Sequence, residues 1–148
     1  MEAVIFCGIQ ATGKSSFYRE RFFDTHMRIS MDQLHTRNKE SRFLELCFSM
    51  QQAFVSDNTN PARADRARYI ALARQHKFKV TGYYFQSALA RAMARNSQRS
   101  GKALIPEVGI RGTYNRLELP SPEEGFDELY FVEIVDNLFV VKPWKNEI

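Results

Sequence analysis

The residues Gly8-Ile9-Gln10-Ala11-Thr12-Gly13-Lys14-Ser15 satisfy the phosphate-binding loop pattern G-x-x-x-x-G-K-[ST] at every fixed position. The chemistry this spacing suits is capture of a polyphosphate. Phosphate oxygens need several converging backbone N–H groups, and glycines at the corners let the chain wrap closely enough to supply them. Lys14 is spaced to reach the β and γ phosphates, and the Ser15 hydroxyl to ligate Mg²⁺. The elements that must hold such a loop stand on either side of it. Ala3-Val4-Ile5-Phe6-Cys7 is an apolar run that predicts a buried strand, and residues 16–23 predict a helix, with Ser16 in its first turn and its positive dipole end toward the phosphates. A plain glycine-rich turn between strand and helix has no need for Lys and Ser together after the second glycine. The stretch from Gly8 to Ser16 is therefore expected to bind ATP with Mg²⁺.

Further along, short apolar strands are expected to deliver polar groups to the same edge. Residues 27–30 predict a strand, and Asp32 falls just beyond its carboxyl end, the edge where open parallel sheets bind ligands. Two readings of Asp32 compete: a helix N-cap, or the base that accepts the proton of an attacking hydroxyl. Residues 39–50 predict a helix with Phe43, Leu44, Leu46, Cys47 and Met50 along one side. Residues 53–55 predict a strand ending in Ser56-Asp57-Asn58-Thr59-Asn60-Pro61, where Asp57 stands where a metal-holding carboxylate is expected, although these residue types also form turns.

Residues 62–76 then predict a helix with Ala67, Ile70, Ala71 and Arg74 in helical order and basic residues outward. The aromatic, β-branched run 78–85 predicts a core strand rather than a base-stacking surface. Residues 86–96 predict a helix with Ser87 as its N-cap and Leu89, Ala92 and Met93 facing inward. Arg91, Arg95 and Arg99 recur every four residues, so they are expected on one face. Arginines so stacked repel one another unless an anion lies against them, as the phosphates of ATP would beneath a mobile arm; the competing reading is a solvated basic face. A short helix over 107–117, a loop over 120–125, and strands over 128–135 and 138–141 joined by Asp136-Asn137 complete the reading. The two strands are expected as an antiparallel hairpin at a sheet edge.

With 148 residues the chain has the size of one domain, able to bury roughly 70% of its unfolded surface. Cys7 and Cys47 sit in apolar stretches and the three histidines are scattered, which predicts buried thiols, a reducing compartment and no His or Cys metal cluster. No run approaches the ~18 apolar residues of a membrane span, and the first strand begins at once, so a cytoplasmic location is expected. The net charge of +4 is unevenly spread: residues 60–117 carry twelve Lys or Arg against Asp65 and Glu107, a balance of +10 that leaves −6 for the remainder. A basic middle third suits a triphosphate and is compatible with a polyanionic acceptor, although solvated helix faces alone could account for half of the excess.

Four blocks carry a resemblance: Gly8 to Ser15; Asp32 after the second strand; Ser56-Asp57-Asn58-Thr59-Asn60-Pro61; and Arg95-Asn96-Ser97-Gln98-Arg99-Ser100-Gly101-Lys102-Ala103-Leu104-Ile105-Pro106. On these the sequence resembles the P-loop kinase domain of bacteriophage-type polynucleotide 5′-kinases, the kinase half of the kinase–phosphatase end-healing enzymes. The resemblance implies one α/β domain over residues 1–148: a mostly parallel sheet, helices on both faces, an Arg-rich lid near 95–106 and a C-terminal hairpin at the sheet edge. It implies that Lys14 and Ser15 hold nucleotide and metal, that Asp32 is the general base, and that Arg95 and Arg99 belong to the lid.

Asp57 joins Ser15 at the metal, and Asp32, His35, Arg37, Asp57, Asn58 and Asn60 are the expected acceptor contacts. The expected activity is transfer of the γ-phosphate of ATP to a 5′-OH end of RNA or DNA, in company with other end-healing or ligase domains. Two features depart from the family pattern. His35 stands where such kinases carry an Arg that grips an acceptor phosphate, with Arg37 two residues beyond, and the stretch 39–50 is short. Both departures lie on the acceptor side, which leaves open a small hydroxyl acceptor such as a nucleoside, sugar or antibiotic, or nucleotide binding without transfer.

Overall fold

A computed structural model describes residues 1–145; the domain expected over 1–148 therefore has residues 146–148 outside the described part. The elements run β1 (Glu2–Cys7), α1 (Lys14–Arg21), β2 (Met27–Ile29), α2 (Met31–Leu34), α3 (Arg37–Met50), β3 (Phe54–Ser56), α4 (Arg63–Gln75), β4 (Lys79–Phe85), α5 (Leu89–Ser97), α6 (Glu107–Arg116), β5 (Glu128–Val135) and β6 (Leu138–Pro143). Six strands form one sheet in the order β2-β3-β1-β4-β5-β6. Every neighbouring pair is parallel except β5 and β6, the hairpin expected from the sequence. Asp136 and Asn137 both take positive φ, at 51° and 61°, the left-handed pair that closes a two-residue hairpin without splaying its strands.

The apolar run of β1 reflects burial on both faces, as in parallel sheets covered by helices. Ala3 and Ile5 join Leu44, Cys47 and Phe48 of α3 and Tyr69, Ile70 and Ala73 of α4 on one side. Val4 and Phe6 meet Phe17, Tyr18 and Phe22 of α1 and its exit on the other. The helices thus form outer layers, and the strands' carboxyl ends converge on one edge.

The inward faces of α3 and α4 differ from the expected ones. In α3 the buried positions are Glu40, Leu44, Cys47 and Phe48, whereas Phe43, Leu46 and Met50 are 40%, 49% and 59% exposed. In α4 they are Arg66, Tyr69, Ile70 and Ala73, while Ala67, Ala71 and Arg74 face outward. Each stripe keeps helical spacing but opens on a charged residue, and each charge is paired. Glu40 accepts from Tyr69 Oη (2.6 Å), Arg68 Nη2 (2.7 Å) and Arg37 Nη1 (2.9 Å). Arg66 makes a forked ion pair with Glu124, at 2.8 and 3.0 Å.

Candidate active site

The phosphate loop lies between the carboxyl end of β1 and α1 and is braced from three directions. Gly8 N–H donates to the Thr59 carbonyl after β3 (2.9 Å). Ile9 N–H donates to Ser87 Oγ after β4 (3.0 Å), whose own proton goes to the Phe85 carbonyl (2.9 Å). Ser87 is therefore a brace for the loop rather than a helix cap: α5 begins at Leu89, with Ala88 at its cap position. At the loop's far corner Gly13 has φ 93°, and a Cβ there would stand 2.9 Å from Phe139 Cε1 and 3.0 Å from Ile134 Cδ1. The β5–β6 hairpin thus seats against the loop at a position only glycine can occupy.

Lys14 turns back over its own loop, donating to the carbonyls of Gly8 (3.0 Å) and Ile9 (2.6 Å), with Thr12 Oγ1 at 3.4 Å. Thr12 Oγ1 in turn donates to the Ile9 carbonyl (2.9 Å). Burial pushes the Lys14 ammonium down to about 8, against an opposing pull from Asp57. Carbonyl dipoles compensate only part of what a buried cation loses on leaving water, and phosphate oxygens would compensate more.

Three chain segments meet at the metal-side corner. Ser15 Oγ donates to Asp57 Oδ2 (2.9 Å), and Arg28 of β2 donates from Nε to the same oxygen (2.8 Å) and from Nη2 to Ser15 Oγ (3.2 Å). The Asp57 side chain is 2% exposed. A hydroxyl and a carboxylate 2.9 Å apart, beside a phosphate loop, are the hard oxygen donors that suit Mg²⁺, which takes one or two protein ligands and completes its shell with water and phosphate. Among the described residues no group of three or more His, Cys, Asp or Glu gathers as a separate metal site.

A cleft of about 470 Å³ opens over this loop. Its floor is Gln10, Ala11, Gly13, Lys14, Ser15 and Ser16; one wall carries Asp32, Arg37, Asp57, Asn58 and Asn60, and Arg99, from the segment after α5, also lines it. Gly8, Ile9 and Thr12 back the floor rather than line it. Asp32 occupies the first turn of α2, whose cap position is Ser30, so the N-cap reading of Asp32 does not hold. His35 ends that helix at φ 67° and lies off the cleft wall, while Arg37 is on it, held by Glu40. Burial pushes the Glu40 carboxyl up, but bonds from Tyr69, Arg68 and Arg37 outweigh it and hold the group below the usual carboxylate range.

Asn58 fixes the segment carrying Asp32, its Oδ1 accepting from Met31 N–H (2.8 Å). Asn60 is largely spent on structure, donating to the Phe6 carbonyl (2.8 Å) and Ser56 Oγ (3.1 Å).

The arginines separate more than their spacing predicts, because α5 stops at Ser97 and Arg99 falls outside the helix. Arg91 bonds Gln86 (3.2 Å), Arg95 reaches the Ala11 carbonyl (3.4 Å), and Arg99 lines the cleft. Burial, then the Arg91 charge, lowers the pKa of Arg95. The segment between α5 and α6 is pinned at its base by Asn96, which donates to the Ile105 carbonyl (2.7 Å) and accepts from Ile105 N–H (2.9 Å). Ile110, Ala92, Leu89 and Met93 pack this arm onto Ile9 and Ala11 of the loop.

Arg19 and Arg116 also reach the cleft, giving it four arginines. Neither was singled out from sequence, nor was Arg28. A basic residue on a helix carries no periodic mark of the cavity it faces, and one in a three-residue strand none of the carboxylate it pairs with.

Against known proteins, the chain matches the model of an AAA domain family over residues 4–111. It is 26% identical over 129 residues to the bifunctional polynucleotide phosphatase/kinase of Schizosaccharomyces pombe, covering 84% of this chain but 32% of that protein, so the chain spans about a third of that relative's length. Among solved structures it is similar to Chaetomium thermophilum Kti12 in complex with ADP-AlF3, with TM-score 0.65, 14% identity and 88% of each chain covered. A gluconokinase from Sinorhizobium meliloti gives TM-score 0.61 at 16% identity, covering 89% of this chain and 82% of that one. At these identities the solved structures speak to the fold, an α/β P-loop kinase fold, in agreement with the sheet order and the loop geometry. The match over residues 4–111 makes the chain a member of the AAA domain family, with a P-loop kinase-like nucleotide site at its centre.

Proposed function

We propose that the chain is an ATP-dependent kinase that transfers the γ-phosphoryl group to the 5′-hydroxyl of an RNA or DNA end. One observation carries the reading: Lys14 and Arg99 on the donor side line the same cleft as Asp32 and Arg37 on the acceptor side. In-line phosphoryl transfer needs donor and acceptor oxygens facing each other across one cavity, with positive charge around the moving group. Asp32 orients the acceptor hydroxyl and takes its proton as the new oxygen–phosphorus bond forms and the bond to the leaving ADP oxygen breaks. Lys14 leaves its loop carbonyls for the β and γ phosphates. Arg99 spreads over the transferred group, with Arg95 holding the loop from behind at Ala11.

Ser15 and Asp57 would hold Mg²⁺, which would supply neutralising charge to the phosphate oxygens. Arg37, Asp57, Asn58 and Asn60 stand on the acceptor wall. The polynucleotide kinase named among the relatives supports the acceptor class, and end-healing or ligase partners belong to the same proposal. Cys7 and Cys47, both buried and free, suit a cytoplasmic setting.

The test is transfer of labelled phosphate from ATP to 5′-hydroxyl oligonucleotides. Replacing Asp32 with Asn should lower turnover on the order of 10²- to 10⁴-fold while leaving nucleotide affinity intact. Equal rates would retire Asp32 as the base.

A second reading, a small hydroxyl acceptor, draws on the position of His35 away from the cleft wall, which leaves the acceptor side fewer phosphate grips. Salt separates the two. Acceptor affinity that falls steeply with ionic strength indicates several phosphate contacts, whereas a neutral alcohol gives almost no slope.

A further inference from the structure

Arg28 has no assigned part in the chemistry, yet its guanidinium sits on both groups expected to hold the metal. Its Nε lies 2.8 Å from Asp57 Oδ2 and its Nη2 3.2 Å from Ser15 Oγ. The Ser15 proton is already committed to Asp57, so the hydroxyl receives Arg28 through an oxygen lone pair, the feature a cation would use. Asp57 Oδ2 takes two donors at once, and its side chain is almost wholly buried, whereas Arg28 remains 30% exposed and has room to withdraw. A guanidinium and a divalent cation cannot share a hydroxyl and a carboxylate at these distances without strong repulsion, since like charges a few ångströms apart in a partly buried site are poorly screened.

We propose that Arg28 competes with the divalent cation for Ser15 and Asp57, so that metal enters together with nucleotide phosphates rather than alone. The phosphates' negative charge offsets the added positive charge, and Arg28 withdraws from both groups, the weaker 3.2 Å link to Ser15 first and the 2.8 Å link to Asp57 after it. Arg28 is thus a positioning residue that sets the order of loading. The proposal rests on the assignment of Ser15 and Asp57 to the metal.

The experiment is a Mn²⁺ titration followed by electron paramagnetic resonance, on the wild type and on Arg28→Gln, without nucleotide and with ADP. Arg28→Gln should bind Mn²⁺ alone roughly 10-fold more tightly than the wild type, and the gap should narrow once ADP is present. Mn²⁺ bound with ADP in both chains, with equal or weaker affinity for Mn²⁺ alone in the variant, would overturn the role of Arg28 and leave the metal assignment standing. No Mn²⁺ binding in either chain, with or without ADP, would overturn the metal assignment itself. Should Arg28→Gln fail to fold, the nitrogen-15 resonance of Arg28 Nη2 in the wild type decides. A shift on adding Mg²⁺ with ADP supports competition; an unmoved resonance under saturating Mg²⁺ and ADP overturns it.

Discussion

The Lys14 ammonium rests on the oxygens of its own loop, and the pH response of nucleotide binding follows from that one side chain. Burial brings its pKa to about 8 from the ordinary 10.5. Between those two values the unfolded chain binds more protons than the folded one at this site, so its contribution to stability improves as pH rises through the window; below about 8 the buried cation carries its full penalty. Phosphates reverse the preference, because they favour the charged ammonium. ADP affinity should therefore stay level below pH 8 and weaken above it, by up to about tenfold per pH unit, with proton uptake near pH 8 in calorimetry. Affinity that is level from pH 7 to pH 10 would show that phosphate binding does not draw on a Lys14 ammonium whose pKa lies near 8. Gly13 offers a second check. An alanine there meets both a φ of 93° and the Phe139 ring, and should cost about 1–3 kcal/mol in urea unfolding.

At the level of elements, the arm over the cleft depends on Asn96. Replacing it with Ala leaves the Ile105 N–H and carbonyl without their partners. The expected result is a loss of about 1–3 kcal/mol in local stability, read as faster hydrogen exchange at Ile105 with β1 unaffected. Exchange that is unchanged would mean that apolar packing on Ile9 and Ala11 alone holds the arm. The strands, the loop and the hairpin were legible in the sequence because burial on both faces leaves unbroken apolar runs and a tight turn demands Asp-Asn. The inward faces of α3 and α4 were not, because each stripe opens on an ion, Glu40 or Arg66, whose partner lies elsewhere in the chain. Ser87 has the residue type of a helix cap, and only the tertiary fold shows that it serves Ile9 N–H. Lys14, Ser15, Asp32, Asp57 and Arg99, singled out by motif spacing, strand ends and the arginine repeat, line one cleft. Arg19 and Arg116 are marked only by the cleft they line, and Arg28 only by its bonds to Asp57 and Ser15.

Across the whole molecule, Arg66 ties α4 to the turn at residues 122–124 and also donates to the carbonyls of Asn60 and Pro61, both at 3.0 Å. Removing the arginine alone strands a buried carboxylate on Glu124, so Arg66→Ala should cost about 3–5 kcal/mol. That would lower the melting temperature by roughly 2–4 °C per kcal/mol for a chain of this size. The double variant Arg66→Met with Glu124→Leu should recover most of that loss in calorimetric melting, yet bind ADP more weakly, because the wall from Asp57 to Pro61 has lost its brace. Equal losses in the single and double variants would deny the stranded charge. The contact of Ile134 and Phe139 with Gly13 bears on synthesis. The ribosome makes the anion-gripping segment early and the two side chains that mould it much later. A nascent polypeptide stalled before residue 130 should leave an ATP-agarose column in the flow-through, and capture should begin only when the hairpin has cleared the exit tunnel.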